Sequence, residues 1–180
     1  RNTAPALALA AHETLSKSGN DSPLLLTMPA DHTIRDVETF RHTVSDAASV
    51  AACGYLTTFG VTPTAPETGY GYIKTGDYLR DNPRDLIGMT SGGAAIVGQL
   101  APSISETEAL VISKFVEKPD AATALSFITS GCYLWNSGIF LMSASVWLRE
   151  LGRHRPDIAS VCETAFVGAR RSKLFVWPDQ

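Results

Sequence analysis

Cysteine is scarce in this chain, with three in 180 residues. Cys53, Cys132 and Cys162 are odd in number and form no CxxC spacing, which argues against a disulfide framework and a structural zinc site. Each is expected to be a buried small hydrophobe, and a reducing cytoplasm is the compartment that fits. Long apolar runs are missing too: none approaches the roughly 20 residues that span a bilayer. The first five residues, Arg1 to Pro5, do not begin a signal peptide, and the absence of an initiator Met suggests a segment of something longer. Positive charge is not in excess. Fifteen Lys and Arg against eighteen Asp and Glu leave a formal charge of −3, so no general attraction to nucleic acid or an anionic membrane is expected. The densest basic cluster, Arg170, Arg171 and Lys173, is predicted to be a solvated helix end. Signatures of nucleophilic catalysis are lacking: there is no GxSxG and no Cys–His pattern. No P-loop occurs, and no GxGxxG follows a first strand.

What is present is ample for a core. At 44% hydrophobic and 18% charged, the chain has the composition of one folded domain, predicted to occupy residues 1–180. Thr3 is positioned to cap a helix running to about Ser18, with Pro5 in its first turn and Gly19 as its stop. Residues 24–28 form a short apolar run read as a buried strand. Asp36 caps a second helix, whose core face is marked by Val37, Phe40, Val44, Ala47, Ala48 and Ala51. Residues 55–60 read as the next strand. Strand, helix, strand in that order is the mark of a parallel sheet with right-handed crossovers. A strand over 111–116, a helix from Asp120 to Gly131, extended runs over 132–135 and 138–142, and helices near 145–151 and 156–168 complete the pattern. Residues 77–107 carry little periodicity and read as a long loop or insertion, with a short strand at 94–97.

Four motifs follow or interrupt the strand-like runs: Pro29-Ala30-Asp31-His32, Pro66-Glu67-Thr68-Gly69-Tyr70-Gly71-Tyr72, Phe115-Val116-Glu117-Lys118-Pro119 and Trp135-Asn136-Ser137-Gly138. Open α/β sheets hold their ligands at such strand ends. Asp31 either caps a turn or holds Mg²⁺, an ion that takes one or two carboxylates plus phosphate oxygens. Gly69 to Tyr72 is either a turn or a stretch of bare backbone that a sugar ring can approach. Glu117 and Lys118 are neighbours, so alternation would send them to opposite faces unless the strand ends there, and Pro119 supplies an end. They form either a surface ion pair or a phosphate and hydroxyl site. Asn136 is either a turn residue or an amide that donates to and accepts from vicinal hydroxyls.

Taken together and in order, these motifs resemble the nucleotidyltransferase domain of bacterial-type mannose-1-phosphate guanylyltransferases. The resemblance also takes in Arg1 to Ala6, Thr58-Phe59-Gly60-Val61 with Pro63-Thr64, and Ile139-Phe140, nearly end to end. It implies a Rossmann-like α/β fold with a mixed, mostly parallel sheet flanked by helices, incomplete at both ends. It implies GMP transfer from GTP to α-D-mannose 1-phosphate in nucleotide-sugar and polysaccharide biosynthesis, with pyrophosphate released and Mg²⁺ as cofactor. By resemblance Asp31 is the metal carboxylate, and Lys118 holds the sugar phosphate. Glu117, Asn136 and the backbone of Gly69, Tyr70 and Gly71 form the mannose site. Arg1, Asn2, Thr3, Pro29 and Ala30, with Asp31, fringe the nucleotide pocket. A homodimer stays open. The family's glycine-rich nucleotide loop would precede Arg1 and its second metal aspartate would follow Gln180, so these 180 residues alone are expected not to turn over. The alternatives are a sugar-phosphate-binding domain without catalysis and a nucleotidyltransferase for another sugar 1-phosphate.

Overall fold

The structure, a computed structural model, describes residues 3–19, 21–79, 94–99, 109–171 and 176–177, with 94–99, 171 and 176–177 described as backbone. Arg1 and Asn2, and with them their expected nucleotide roles, lie outside the described residues, as do 80–93 and 100–108 of the expected insertion. In chain order the elements are α1 (Thr3–Ser18), β1 (Leu24–Thr27), α2 (Val37–Ala52), β2 (Leu56–Val61), β3 (Gly71–Tyr78), β4 (Ala94–Gln99), β5 (Ala109–Glu117), α3 (Ala121–Ser130), β6 (Tyr133–Ser143), α4 (Ala144–His154), α5 (Pro156–Val167), β7 (Arg170–Arg171) and β8 (Val176–Trp177). Contacts group them into two compact units, residues 1–25 with 143–180, and residues 26–142. Among the described residues no helix is long and apolar enough to cross a membrane.

The first unit is helical. Ala8 of α1, Leu151 of α4 and Cys162 of α5 are buried together, with Trp147, Leu148 and Ile158 packed against them. Burial raises the Cys162 thiol pKa, which makes this cysteine inert. Cys53 is half-buried and Cys132 exposed, so the expectation of three buried cysteines holds for Cys162 alone. Pro156 opens α5 in the first turn, where a missing N–H costs nothing. The cap of α4 comes from far away in sequence: Ser22 Oγ accepts from the Ser145 amide at 3.1 Å and lies 2.6 Å from Ser143 Oγ. Arg170 and Arg171 sit in β7, paired to β8, rather than at a helix end.

The second unit carries the sheet, ordered β1-β6-β2-β4-β5-β3, with β6 also pairing β3. The sheet is mixed as expected, but its direction differs from the expectation. Only β2–β4 is parallel among the pairings with described register; β2–β6, β3–β5, β3–β6 and β4–β5 are antiparallel. The early strand–helix–strand order dictates one crossover and says nothing of the strands that follow. Asp36 caps α2 as predicted, one oxygen accepting from the Thr39 amide at 2.9 Å and the other from Thr39 Oγ1 at 2.7 Å. Phe40 of α2 meets Phe59 of β2, ring centroids 6.1 Å apart. Val37, expected in the core, is exposed at the first turn. Asp120 caps α3 through the Thr123 amide, and Gly131 ends it in the left-handed conformation, φ 67°. On the sheet, Tyr72 and Phe59 are fully buried, and Phe127 of α3 packs on Tyr72 and Tyr133.

Candidate functional site

The site is built where β6 breaks its register. Between the pairs Thr58–Phe140 and Gly60–Asn136, β2 contributes Phe59 alone, while β6 contributes Ser137, Gly138 and Ile139. A bulge of this kind bends a strand and re-aims a side chain. Gly138 takes φ 71° there, a conformation that favours glycine. Asn136 therefore flanks a bulge inside one long strand, and is not a turn between two short ones. Its Oδ1 accepts from the Gly138 amide at 3.2 Å, and Thr58 Oγ1, which donates to the Ile139 carbonyl at 2.7 Å, lies 3.3 Å away. The Gly138 bond commits the amide oxygen inward. The NH₂ group is left as the outward-facing donor, with no partner among the described residues.

Asn136 lines a cleft of about 790 Å³ together with Asp31, Arg35, Tyr70 and Trp135. All of these belong to the sheet unit. Tyr70, half exposed, meets Trp135 edge to face at 5.2 Å and 85°. The Trp135 Nε1 is buried with no partner among the described residues. The loop carrying Tyr70 is fixed by the Tyr72 hydroxyl, which donates to the Glu67 carbonyl at 2.9 Å. Gly71 brings the remaining groups together. It pairs with Glu117 across β3 and β5. A Cβ at Gly71 would stand 2.9 Å from Glu117 Oε2 and 3.6 Å from the Asn136 Cβ. So Gly71, Glu117 and Asn136 form one contiguous surface, and a side chain at Gly71 would displace the Glu117 carboxylate from it.

Lys118 follows Glu117 directly, where β5 has ended. It is the one described non-glycine residue with positive φ, at 45°. Left-handed backbone lifts the alternation rule that would have sent Lys118 away from Glu117. Such a conformation costs on the order of 1 kcal/mol or more and concentrates at functional positions. Lys118 is exposed and has no ion-pair partner among the described residues, and it does not line the cleft itself.

The remaining expected residues are placed as follows. Pro29 lies against Gly138, its Cγ 3.3 Å from where a Cβ would be. Ala30 and Asp31 form an exposed turn after β1. Gly69 is exposed with open space where a Cβ would stand. Thr3 is the first residue of α1 in the helical unit. The structure thus brings Asp31, Tyr70 and Asn136 to one cleft, joins Gly71 and Glu117 to it through Asn136, and leaves Lys118 next in sequence. Sequence reasoning missed Arg35 and Trp135 as lining residues. The position of Arg35, between a strand-end carboxylate and a helix cap, was the available signal. Among the described residues, no group of three or more His, Cys, Asp or Glu could hold an ion. Of the two described carboxylates lining the cleft, Asp36 is engaged in its helix cap and Asp31 is not.

Comparison with known proteins agrees with this architecture. A xanthan biosynthesis protein of Xanthomonas campestris is 44% identical over 180 residues, all of this chain and 32% of that protein. A mannose-1-phosphate guanylyltransferase of Salmonella typhimurium is 39% identical over 180 residues, all of this chain and 33% of its own. The chain thus spans about a third of the curated relatives it matches. Among solved structures, a mannose-6-phosphate isomerase from Helicobacter pylori superposes with TM-score 0.69 at 30% identity, covering 97% of this chain and 54% of that one. A mannose-1-phosphate geranyltransferase from Thermus thermophilus gives 0.68 at 31%, covering 94% and 42%. The family described as nucleotidyl transferase matches residues 1–179, and the chain belongs to that family.

Proposed function

We propose that this chain is the sugar-binding part of an enzyme that transfers GMP from GTP to α-D-mannose 1-phosphate. The contiguous surface of Gly71, Glu117 and Asn136, ending on the left-handed Lys118, carries the reading. Each group supplies what a hexose phosphate asks for. The Asn136 NH₂ donates to a hydroxyl, and the Glu117 carboxylate accepts from one. The bare backbone at Gly71 lets the ring approach. The Lys118 ammonium neutralises the sugar phosphate.

In the reaction a phosphate oxygen of the sugar attacks the α-phosphorus of GTP in line. The bond to the β-phosphate breaks, and pyrophosphate leaves. The protein needs no nucleophile of its own, in agreement with the missing nucleophile signatures. Its work is to hold both substrates in line and to neutralise charge. Asp31 fits a divalent cation, Mg²⁺: it is exposed, it lines the cleft, and it has no partner among the described residues. One carboxylate suits an ion that keeps most of its waters. When bound, the ion supplies charge neutralisation on the phosphates. We assign Pro29 and Ala30, and beyond the described residues Arg1 and Asn2, to the edge of the nucleotide pocket, with Thr3 among them. The compartment we assign is the cytoplasm.

The test is pyrophosphate release by the intact protein, offered each of the four nucleoside triphosphates with mannose 1-phosphate or glucose 1-phosphate. GTP with mannose 1-phosphate is expected to be preferred. Preference for another pair would reassign the substrate. Binding of mannose 1-phosphate without product would instead support a sugar-phosphate-binding domain.

A further inference from the structure

The same cleft presents an arginine that the motifs do not include. Residues 31–36 run along its wall and contain two acids, Asp31 and Asp36, and two basic groups, His32 and Arg35. Asp36 is already engaged. Both of its oxygens accept from Thr39, and these bonds hold its carboxyl below the ordinary range. The remaining charges, Asp31 and Arg35, line one cleft four residues apart, yet they form no ion pair. Arg35 has no partner of any kind among the described residues. A free carboxylate and a free guanidinium in one cleft are complementary to a metal-bound phosphate. The carboxylate takes the cation, and the guanidinium takes phosphate oxygens the cation leaves uncovered.

We propose that Arg35 is a phosphate-binding residue of this cleft, gripping a metal-bound phosphate oxyanion of one of the two substrates. The proposal rests on the reading of the chain as a sugar-phosphate nucleotidyltransferase and adds a second cation, distant in sequence from Lys118. Two sources offer this chemistry: the polyphosphate of the nucleotide and the monophosphate of the sugar. Arg35 is exposed, so replacing it should leave the fold intact.

The experiment is calorimetry on the intact protein in the presence of Mg²⁺, with inorganic pyrophosphate in one arm and mannose 1-phosphate in the other. The parent is compared with Arg35→Gln and Arg35→Lys, and thermal midpoints serve as the control for folding. Loss of a charge-assisted contact predicts about tenfold weaker binding in one arm for Arg35→Gln. Arg35→Lys is expected to recover part of it, because it restores charge without the planar fork. The affected arm names the source. In turnover, the effect should fall on the KM of that substrate more than on kcat. Equal affinities for parent and Arg35→Gln in both arms, at unchanged midpoints, would overturn the proposal and leave the assigned activity standing. If the parent itself binds neither ligand, the proposal and the activity both fall.

Discussion

The two units treat charge in opposite ways. Among the described residues, the helical unit holds the ion pairs Lys17–Glu13, Arg149 and Arg153 to Glu150, and Arg155–Asp157, with His154 Nε2 also 3.8 Å from Glu150. The sheet unit has one, Arg41–Glu38 on α2. Asp31, Arg35, Glu117 and Lys118 have no ion-pair partner among the described residues and stand around or beside a cleft. Two glycines also differ. Gly152, in α4, has open space where a Cβ would be, whereas Gly60, in β2, is pressed against Leu134. In the helical unit these charges pair with one another, and Gly152 has room for a side chain. The sheet unit keeps four charges without ion-pair partners among the described residues, and Gly60 has no such room. A surface that binds a charged ligand should show the second pattern.

The largest effect expected from this contrast is at Lys118. Lys118→Gly should lower turnover by about a hundredfold or more, the scale of losing a preorganised charge at the reacting phosphate. Its folding stability should stay within about 1 kcal/mol of the parent, because relief of the left-handed backbone offsets the added chain entropy. Lys17→Ala in the helical unit should leave turnover unchanged and cost under about 1 kcal/mol. Urea titration and initial rates read both. Next come the glycines. Gly60→Ala forces a methyl into Leu134 and should destabilise by about 1–3 kcal/mol, whereas Gly152→Ala should stabilise by about 0.5–1 kcal/mol. If the two changes had the same sign in chemical denaturation, the distinction between tight and slack backbone would fail. Ser22→Ala, which removes the remote cap of α4, should cost about 1 kcal/mol in the same assay.

The smallest effect is on acid stability. Asp157 lies at about 2, against an ordinary 3.8, chiefly because the Arg155 guanidinium donates to it. A depressed carboxylate contributes stability above its unfolded value and loses it as pH falls through the folded one. The parent should therefore lose this contribution between about pH 4 and pH 2, and Asp157→Asn should flatten that limb in pH-dependent melting. Asp36 and Asp120, lowered by their Thr39 and Thr123 caps, act in the same direction.

Much of this was legible beforehand because the signals are local. Asp36, Asp120, Gly131 and Pro156 mark helix ends by hydrogen bonding and dihedral preference, and the structure places them so. The strand at 94–97 forms as part of β4. What was not legible depends on pairing across the sheet. Gly69 to Tyr72, with two glycines, reads as a turn, but from Gly71 the chain becomes a strand because β5 and β6 satisfy both its edges. The bulge in β6 is invisible without β2 beside it, and the antiparallel pairings follow from partners hundreds of atoms along the chain. The Ser22 cap on α4 is hidden for the same reason. At the site, the motif residues at strand ends were readable by type. The inward commitment of the Asn136 oxygen and the exposure of Arg35 to the cleft needed coordinates.

The central claim is that the amide of Asn136, the carboxylate of Glu117 and the ammonium of Lys118 grip one hexose phosphate. A crystal structure of the intact protein with mannose 1-phosphate and Mg²⁺ tests it most directly. It should show Asn136 Nδ2 and Glu117 on sugar hydroxyls, Lys118 Nζ on the phosphate, and the ion on Asp31. A sugar phosphate bound away from Lys118 and Asn136, with both side chains left in solvent, would contradict it.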